Sequence, residues 1–457
     1  MLSDVLDWID TNLPASLDRL FDLLRIESIS TDPACALSCR KAADWLAADL
    51  TGLGFDASIR QTPGHPIVVG HHAGDGPHVL FYGHYDVQPV DPLDLWEAPP
   101  FEPRIVRRAD GIDVIAARGA ADDKGQLMTF VEAVRAWKAV ARKLPVRVSL
   151  LLEGEEESGS PNLAPFLAAN ASELTADLAL VCDTDMWRRG HPAITVSLRG
   201  LVGEEVIVTC ADRDLHSGMY GGAARNPLHV LADMLAALHD VSGRVTLPGF
   251  YDGVSELPAD VKRQWDGLGF DPKAFLGEVG LSLSAGEPNR SVLEQIWSQP
   301  TCEVNGIVGG YTGAGFKTVI PSKASAKVSF RLVGDQDPQK IVESFRAFVR
   351  ARIPADCTVD FRAHGRSPGL RLPFDGPWLQ RARKALADEW GQDPALVGSG
   401  GSIPVVGDFR SILGMNTLMI GFSLDDDRVH SPNEKYDLAS FRGGIRSWAR
   451  VLASLAE

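Results

Sequence analysis

Alternation of short apolar strands with helical stretches predicts an α/β fold: a mostly parallel sheet flanked by helices, with an α+β domain inserted into it. Three observations carry this reading. Short apolar runs end at Gly or Pro, as His78–Tyr82 does at Gly83, which is the mark of a buried strand. Helical stripes lie between such runs, as with Leu127, Phe130, Val131 and Val134, and that alternation favours parallel pairing. Near residue 194 the pattern changes to longer alternating strands, and near residue 368 it changes back.

The first fifty or so residues read as helices. Leu17, Leu20, Phe21 and Leu24 share one helical face, as do Ala42, Trp45 and Leu46. Ala57–Arg60 and Pro66–Gly70 read as strands, followed by the strand into Gly83. Asp91–Pro103 is a Pro-rich loop with Trp96 and Phe101, long and irregular enough to suggest a functional wall. Ile112–Ala117, Val146–Leu152 and Ala179–Cys182 are further strands, and Arg118–Gly125 opens a helix. The inserted segment holds strands over Ala193–Leu198, Gly203–Thr209, Lys323–Val333 and Thr358–Ala363. Helices follow Asn226–Pro227 and span Pro338–Arg352. Beyond Pro368, Leu379, Ala382, Leu386 and Trp390 form a helical stripe, Thr417–Phe422 a strand, and Phe441, Ile445, Trp448, Leu452 and Leu455 a last helix. The expected boundaries are 1–193 and 368–457 for the two parts of the α/β domain, and 194–367 for the inserted one.

Composition narrows the function. A chain of 457 residues, 45% apolar, suits two domains. A net charge of −15 argues against nucleic acid as the main partner. Six cysteines are too few for a disulfide scaffold, and only Cys35 and Cys39 lie close together in sequence. No apolar run reaches the ~20 residues of a membrane helix. Met1–Asp7 lacks the basic and apolar segments of a signal peptide. No membrane association is expected, and the expected compartment is the cytoplasm.

Polar clusters gather where strands of the α/β part end: His84 with Asp86, Asp122, Glu156 with Glu157, Asp183, and His430. Open α/β sheets bind ligands outside the carboxyl ends of their strands. Each cluster has an ordinary reading by itself. Asp122 and Asp123 could cap a helix, Glu155–Glu157 could be a solvated run, and Asp183 and His430 could be turn and loop residues. Together they form an imidazole and carboxylate set without thiolate, which suits zinc and also manganese or cobalt.

The motifs GHYDVQP (83–89), RGAADDKGQ (118–126), EGEEESGS (153–160), DLHSGMYGG (214–222), KTVIP (317–321), GGSIP (400–404) and HSPNE (430–434) resemble those of the co-catalytic metallopeptidases. That family includes cytosolic nonspecific dipeptidase, carnosine dipeptidase, glutamate carboxypeptidases, acetylornithine deacetylase and succinyl-diaminopimelate desuccinylase. The chain is most similar to the dipeptidase branch. The resemblance implies a di-zinc exopeptidase-like fold with an inserted lid and dimerisation domain, and a homodimer formed through it. It implies two divalent metal ions, zinc first and manganese or cobalt as alternatives. His84, Asp122 and Asp183 would hold one ion, and Asp122, Glu157 and His430 the other, with Asp122 preferred to Asp123 and Asp183 to Asp185. Asp86 would orient His84, and Glu156 would be the general base. His216 would reach a partner subunit's site with Thr318. Arg331 and His364 would meet the substrate's carboxylate, and Gly401 and Ser402 would line the same pocket. The chain departs from the dipeptidase branch at Ser399, where Glu is usual, and Asn305 stands where some relatives have His. The expected reaction is hydrolysis of an amide bond near a free carboxylate, in a dipeptide or short peptide. An N-acyl amino acid substrate is the alternative, and a non-catalytic binding protein a more remote one.

Overall fold

The computed structural model describes residues 1–400 and 403–457. It forms two compact units: Met1–Val196 with Leu372–Val397 and Pro404–Glu457, and Ser197–Arg371 with Gly398–Ile403.

The first unit is built on a sheet whose four central strands run parallel. Their order is Arg147–Glu153, His78–His84, Leu178–Val181 and Thr417–Met419. Ile67–His72 and Asp56–Arg60 extend one edge antiparallel, and Thr195 pairs antiparallel with Met419 on the other. His78–His84 and Arg147–Glu153 are buried almost throughout, which is why both read as continuous apolar runs rather than alternating ones. Helices Lys124–Ala141 and Leu438–Leu455 pack against this sheet. Phe81 stacks on Phe130 at 3.8 Å, and Trp448 meets both rings edge-on. Burying each such ring contributes on the order of 1.5–3 kcal/mol. The buried Lys124 Nζ donates to Leu23 O and Ile26 O, closing the end of helix Leu2–Leu24.

The second unit carries an antiparallel sheet in the order Thr301–Gly309, Lys323–Leu332, Gly200–Thr209 and Thr358–Ser367. Burial alternates along Gly200–Thr209, so one face forms a core with helices Pro227–Ala236 and Pro338–Arg350. Val206, Val208, Leu231, Phe330 and Phe345 lie in that core. Both helices start on a capping side chain followed by Pro: Asn226 accepts from Leu228 N, and Asp337 from Gln339 N.

Several element ends differ from the sequence expectation. The strand expected over Thr417–Phe422 stops at Met419, because Phe422 N donates to the Gln126 side chain instead of a strand. The strand expected to end at Ala363 runs on to Ser367 across a bulge. Gly365, at φ +108°, supplies the backbone conformation there. Among the described residues, no helix is long and apolar enough to cross a membrane.

Candidate metal centre

The parallel strands deliver the polar clusters to one place. His84 is the last residue of its strand, and Asp183 follows the strand ending at Val181. Glu156 and Glu157 lie in a short turn after Glu153. Asp122 precedes helix Lys124–Ala141. Two groups of potential ligands result: His84, Asp122 and Asp183, and Asp122, Glu157 and His430. Within each, the ligand atoms lie within 4.8 Å of one another. Asp122 belongs to both, and its two oxygens divide between them. Oδ1 lies 3.1 Å from His84 Nε2, and Oδ2 lies 2.9 Å from His430 Nε2. His430 Nε2 is also 3.2 Å from Glu157 Oε2.

These donors fit divalent cations. Donors held ~2.0–2.1 Å from one tetrahedral ion stand roughly 3.3 Å apart, close to the separations of His84, Asp122, Glu157 and His430. The alternative partners are engaged elsewhere. Asp123 Oδ2 accepts from His84 N and makes no capping bond to its helix. Asp185 Oδ1 accepts from Ser423 Oγ at 2.7 Å.

Electrostatics agree with that fit. Burial pushes the Asp183 carboxyl up to about 8, and the Asp122 charge adds to the push. Burial also opposes ionisation of Asp122, but hydrogen bonds with His430 and His84 outweigh it and hold the carboxyl below its usual range. Contacts with Asp122 and Glu157 push His430 up to about 10. Burial raises Glu156, with His84 opposing and Glu157 assisting. Crowded buried carboxylates of this kind call for positive charge.

The second unit places its predicted residues separately. His216 and Thr318 are neighbours on a small ribbon, where His216 pairs with Val319 and Ser217 N donates to Thr318 O at 3.1 Å. His216 Nδ1 accepts from Gly218 N, which puts the proton of a neutral ring on Nε2. A Cβ on Gly218 would come within 2.9 Å of that ring. Arg331 and His364 lie on the strands flanking Gly200–Thr209, and His364 Nε2 is 3.6 Å from Glu205. Gly401 and Ser402 lie outside the described residues.

The sequence model of peptidase family M20/M25/M40 matches residues 80–454. The chain belongs to that family. Its curated relatives include the Cys-Gly metallodipeptidase DUG1 of Saccharomyces cerevisiae, 30% identical over 100% of this chain and 98% of the relative. They also include the Beta-Ala-His dipeptidase of Rattus norvegicus, 28% identical over 100% and 96%. Among solved structures, the family's metallo-carboxypeptidase Sso-CP2 from Sulfolobus solfataricus matches at a TM-score of 0.80 and 30% identity, over 96% of this chain and 99% of that one. The dipeptidase Dug1p from Saccharomyces cerevisiae matches at 0.76 and 27%, over 100% and 98%. The resemblance read from the motifs is thus borne out, down to the dipeptidase branch. These relatives favour peptide hydrolysis over the deacylase alternative.

Three supports of the family's cluster escaped sequence reasoning. Glu434 is fully buried and accepts from Arg118 Nη1 at 2.8 Å and from the backbone N–H groups of Gly119, Ala121 and Asp122. It therefore holds the loop that carries Asp122. Gln88 Nε2 donates to Glu157 Oε2 at 2.7 Å. Asp86 has a second task, since its carboxylate accepts from the backbone of both Glu156 and Glu157. Its contact with His84 Nδ1 runs through its backbone O at 3.1 Å and its carboxylate at 3.4 Å. His430 sits at φ +60°, a conformation that costs a non-glycine residue roughly 1–2 kcal/mol and fits a functional position. Glu434 and Gln88 lie within the motifs HSPNE and GHYDVQP, and that membership was the available signal, although it names no partner.

Proposed function

We propose that this chain is a metal-dependent dipeptidase, cleaving the amide bond of a dipeptide or short peptide with a free terminal carboxylate. The observation behind this reading is the division of the Asp122 oxygens between two ligand groups. His84, Asp122 and Asp183 would hold one divalent ion and Asp122, Glu157 and His430 a second, zinc first and manganese or cobalt as alternatives. When bound, such a pair activates a water and polarises the scissile carbonyl.

The chain's own residues do the rest. The Glu156 carboxylate takes a proton from the attacking water and passes it to the leaving nitrogen. Asp86 orients the His84 ring and pins the turn bearing Glu156 and Glu157. His216, donating from Nε2, and Thr318 stabilise the carbonyl oxygen in a partner subunit as charge develops. Arg331 and His364 recognise the terminal carboxylate. The homodimer in this reading uses strand Thr301–Gly309. That strand is an edge of its sheet, with Val304, Ile307 and Val308 exposed. A cytoplasmic setting accords with the low cysteine content.

Metal analysis and a dipeptide panel test this together. Protein stripped by chelator should regain two ions per chain and dipeptide hydrolysis. Glu156→Gln should keep both ions and lose turnover by about 10²–10⁴-fold. Loss of metal in that variant would make Glu156 a ligand. A metal-loaded protein inert on every dipeptide would end the proposal.

A further inference from the structure

Arg199 stands between strands Ala193–Leu198 and Gly200–Thr209. Its backbone N donates to Ser399 O at 3.2 Å. A Cβ on Gly400 would come within 2.9 Å of Arg199 Nη2, so the guanidinium lies directly against the Gly400 backbone. Arg199 Nε is buried without a hydrogen-bond partner among the described residues. Arg331 shares its face of the sheet. Leu201 pairs with Arg331 across the strands, and Arg199, two residues before Leu201, projects on the same side. The opposite face carries the core residues Val202 and Phe330.

No carboxylate among the described residues lies within 4.0 Å of either guanidinium. Burial first, and then the Arg331 charge, push Arg199 down to about 10, with Glu303 opposing less strongly. A partly buried cation beside a like charge is costly unless an anion meets it. The Glu usual at position 399 in the dipeptidase branch would bring such an anion close, but here the residue is Ser.

Resting on the dipeptidase reading above, we propose that Arg199 and Arg331 form a two-guanidinium subsite selecting dipeptides that end in an acidic residue. Arg331 takes the terminal carboxylate and Arg199 the side-chain carboxylate of the same residue. A guanidinium offers a carboxylate two parallel N–H bonds. A neutral amide of the same shape leaves part of that fork unpaired, which is how buried polar sites discriminate.

Ala-Glu and Ala-Gln are the probes, since their side chains match in shape and differ in charge. Metal-loaded protein should favour Ala-Glu by about tenfold or more in kcat/KM. Arg199→Gln should bring that ratio toward one through loss on Ala-Glu, and Arg199→Lys should keep an intermediate preference. Equal rates in the native protein would overturn the subsite. So would a parallel fall on both substrates in Arg199→Gln, the signature of a structural role. Calorimetric binding of L-glutamate and L-glutamine needs no turnover. If no dipeptide is cleaved while glutamate outbinds glutamine through Arg199, the subsite stands and the dipeptidase reading falls. If the two amino acids bind alike, the subsite falls.

Discussion

The two units hold their polar residues in opposite ways. In the first, His84 is fully buried, and each ring nitrogen already has a partner in Asp86 or Asp122. Glu157 is held by Gln88, Asp86 and His430. In the second, His216, Thr318 and His364 are exposed, and Arg199 and Arg331 have no anionic partner among the described residues. Metal affinity depends on prebuilt geometry, because ligand orientation is set by second partners. Substrate recognition can leave donors unmatched until the substrate brings its own acceptors. Substitutions in the first unit should therefore register in metal content, and those in the second in turnover or KM with metal retained.

The largest effect is expected at Asp122, the residue shared by both ligand groups. Asp122→Ala should remove both ions and lower kcat/KM by at least about 10⁴-fold, since metal-assisted activation goes with them. Elemental analysis beside a dipeptide assay reads this. Retention of two ions would break the comparison at its root. Next in size is His216→Ala, which should cost about 10²–10³-fold in kcat with both ions kept. Mixing it with Glu156→Ala should restore part of the activity when subunits exchange. Verified mixed dimers without recovery would confine His216 to its own subunit.

Glu434→Gln comes third. The side chain meets Asp122 through its backbone N–H and not its carboxylate, and holds Gly119 and Ala121 in the same way. Metal affinity should fall about 10–100-fold, the usual range for such supports, as read by competition with a chelator. An unchanged affinity would mean the loop keeps its shape without Glu434.

What could be read from the chain follows the same division. His84, Asp122, Glu157, Asp183 and His430 stand beside strands or within motifs whose spacing is local, so their convergence follows from sheet topology alone. Glu434 could not be placed, because its partners lie more than 300 positions away and no periodicity links them. The second task of Asp86 was hidden for a related reason. One carboxylate bridging two segments leaves a single local trace in sequence. The polar run Arg362, His364 and Arg366 concealed the end of its strand, since an edge strand open to solvent carries little apolar signal. Arg199 shows the limit most clearly. Its partners are told only by register, and register is a property of the folded sheet.

The smallest effect sharpens the comparison away from the metal. Besides Glu434 under Arg118, each unit buries a glutamate under arginine. Glu132 accepts from Arg19 Nε at 2.7 Å and Nη2 at 2.6 Å, from Arg135 Nε at 3.0 Å and from Ser16 at 2.7 Å. Glu204 accepts, among the described residues, from Arg346 at 2.8 and 2.9 Å. Burial opposes ionisation of Glu132, but Arg19 and Arg135 outweigh it, so its carboxyl sits below the usual 4.5. A depressed carboxyl stabilises the fold above the pKa it has when unfolded, and that share is lost as pH falls through the folded value. Glu132→Gln should therefore cost about 2 kcal/mol at neutral pH, and Glu204→Gln about 1 kcal/mol, because fewer charged donors are left unmatched. Urea titration at pH 7 and again below pH 4 should show the Glu132 gap narrowing in acid. A gap that stays constant down the pH scale would mean that Glu132 acts through shape rather than charge, and that the first unit's fixity is confined to the neighbourhood of its ligands.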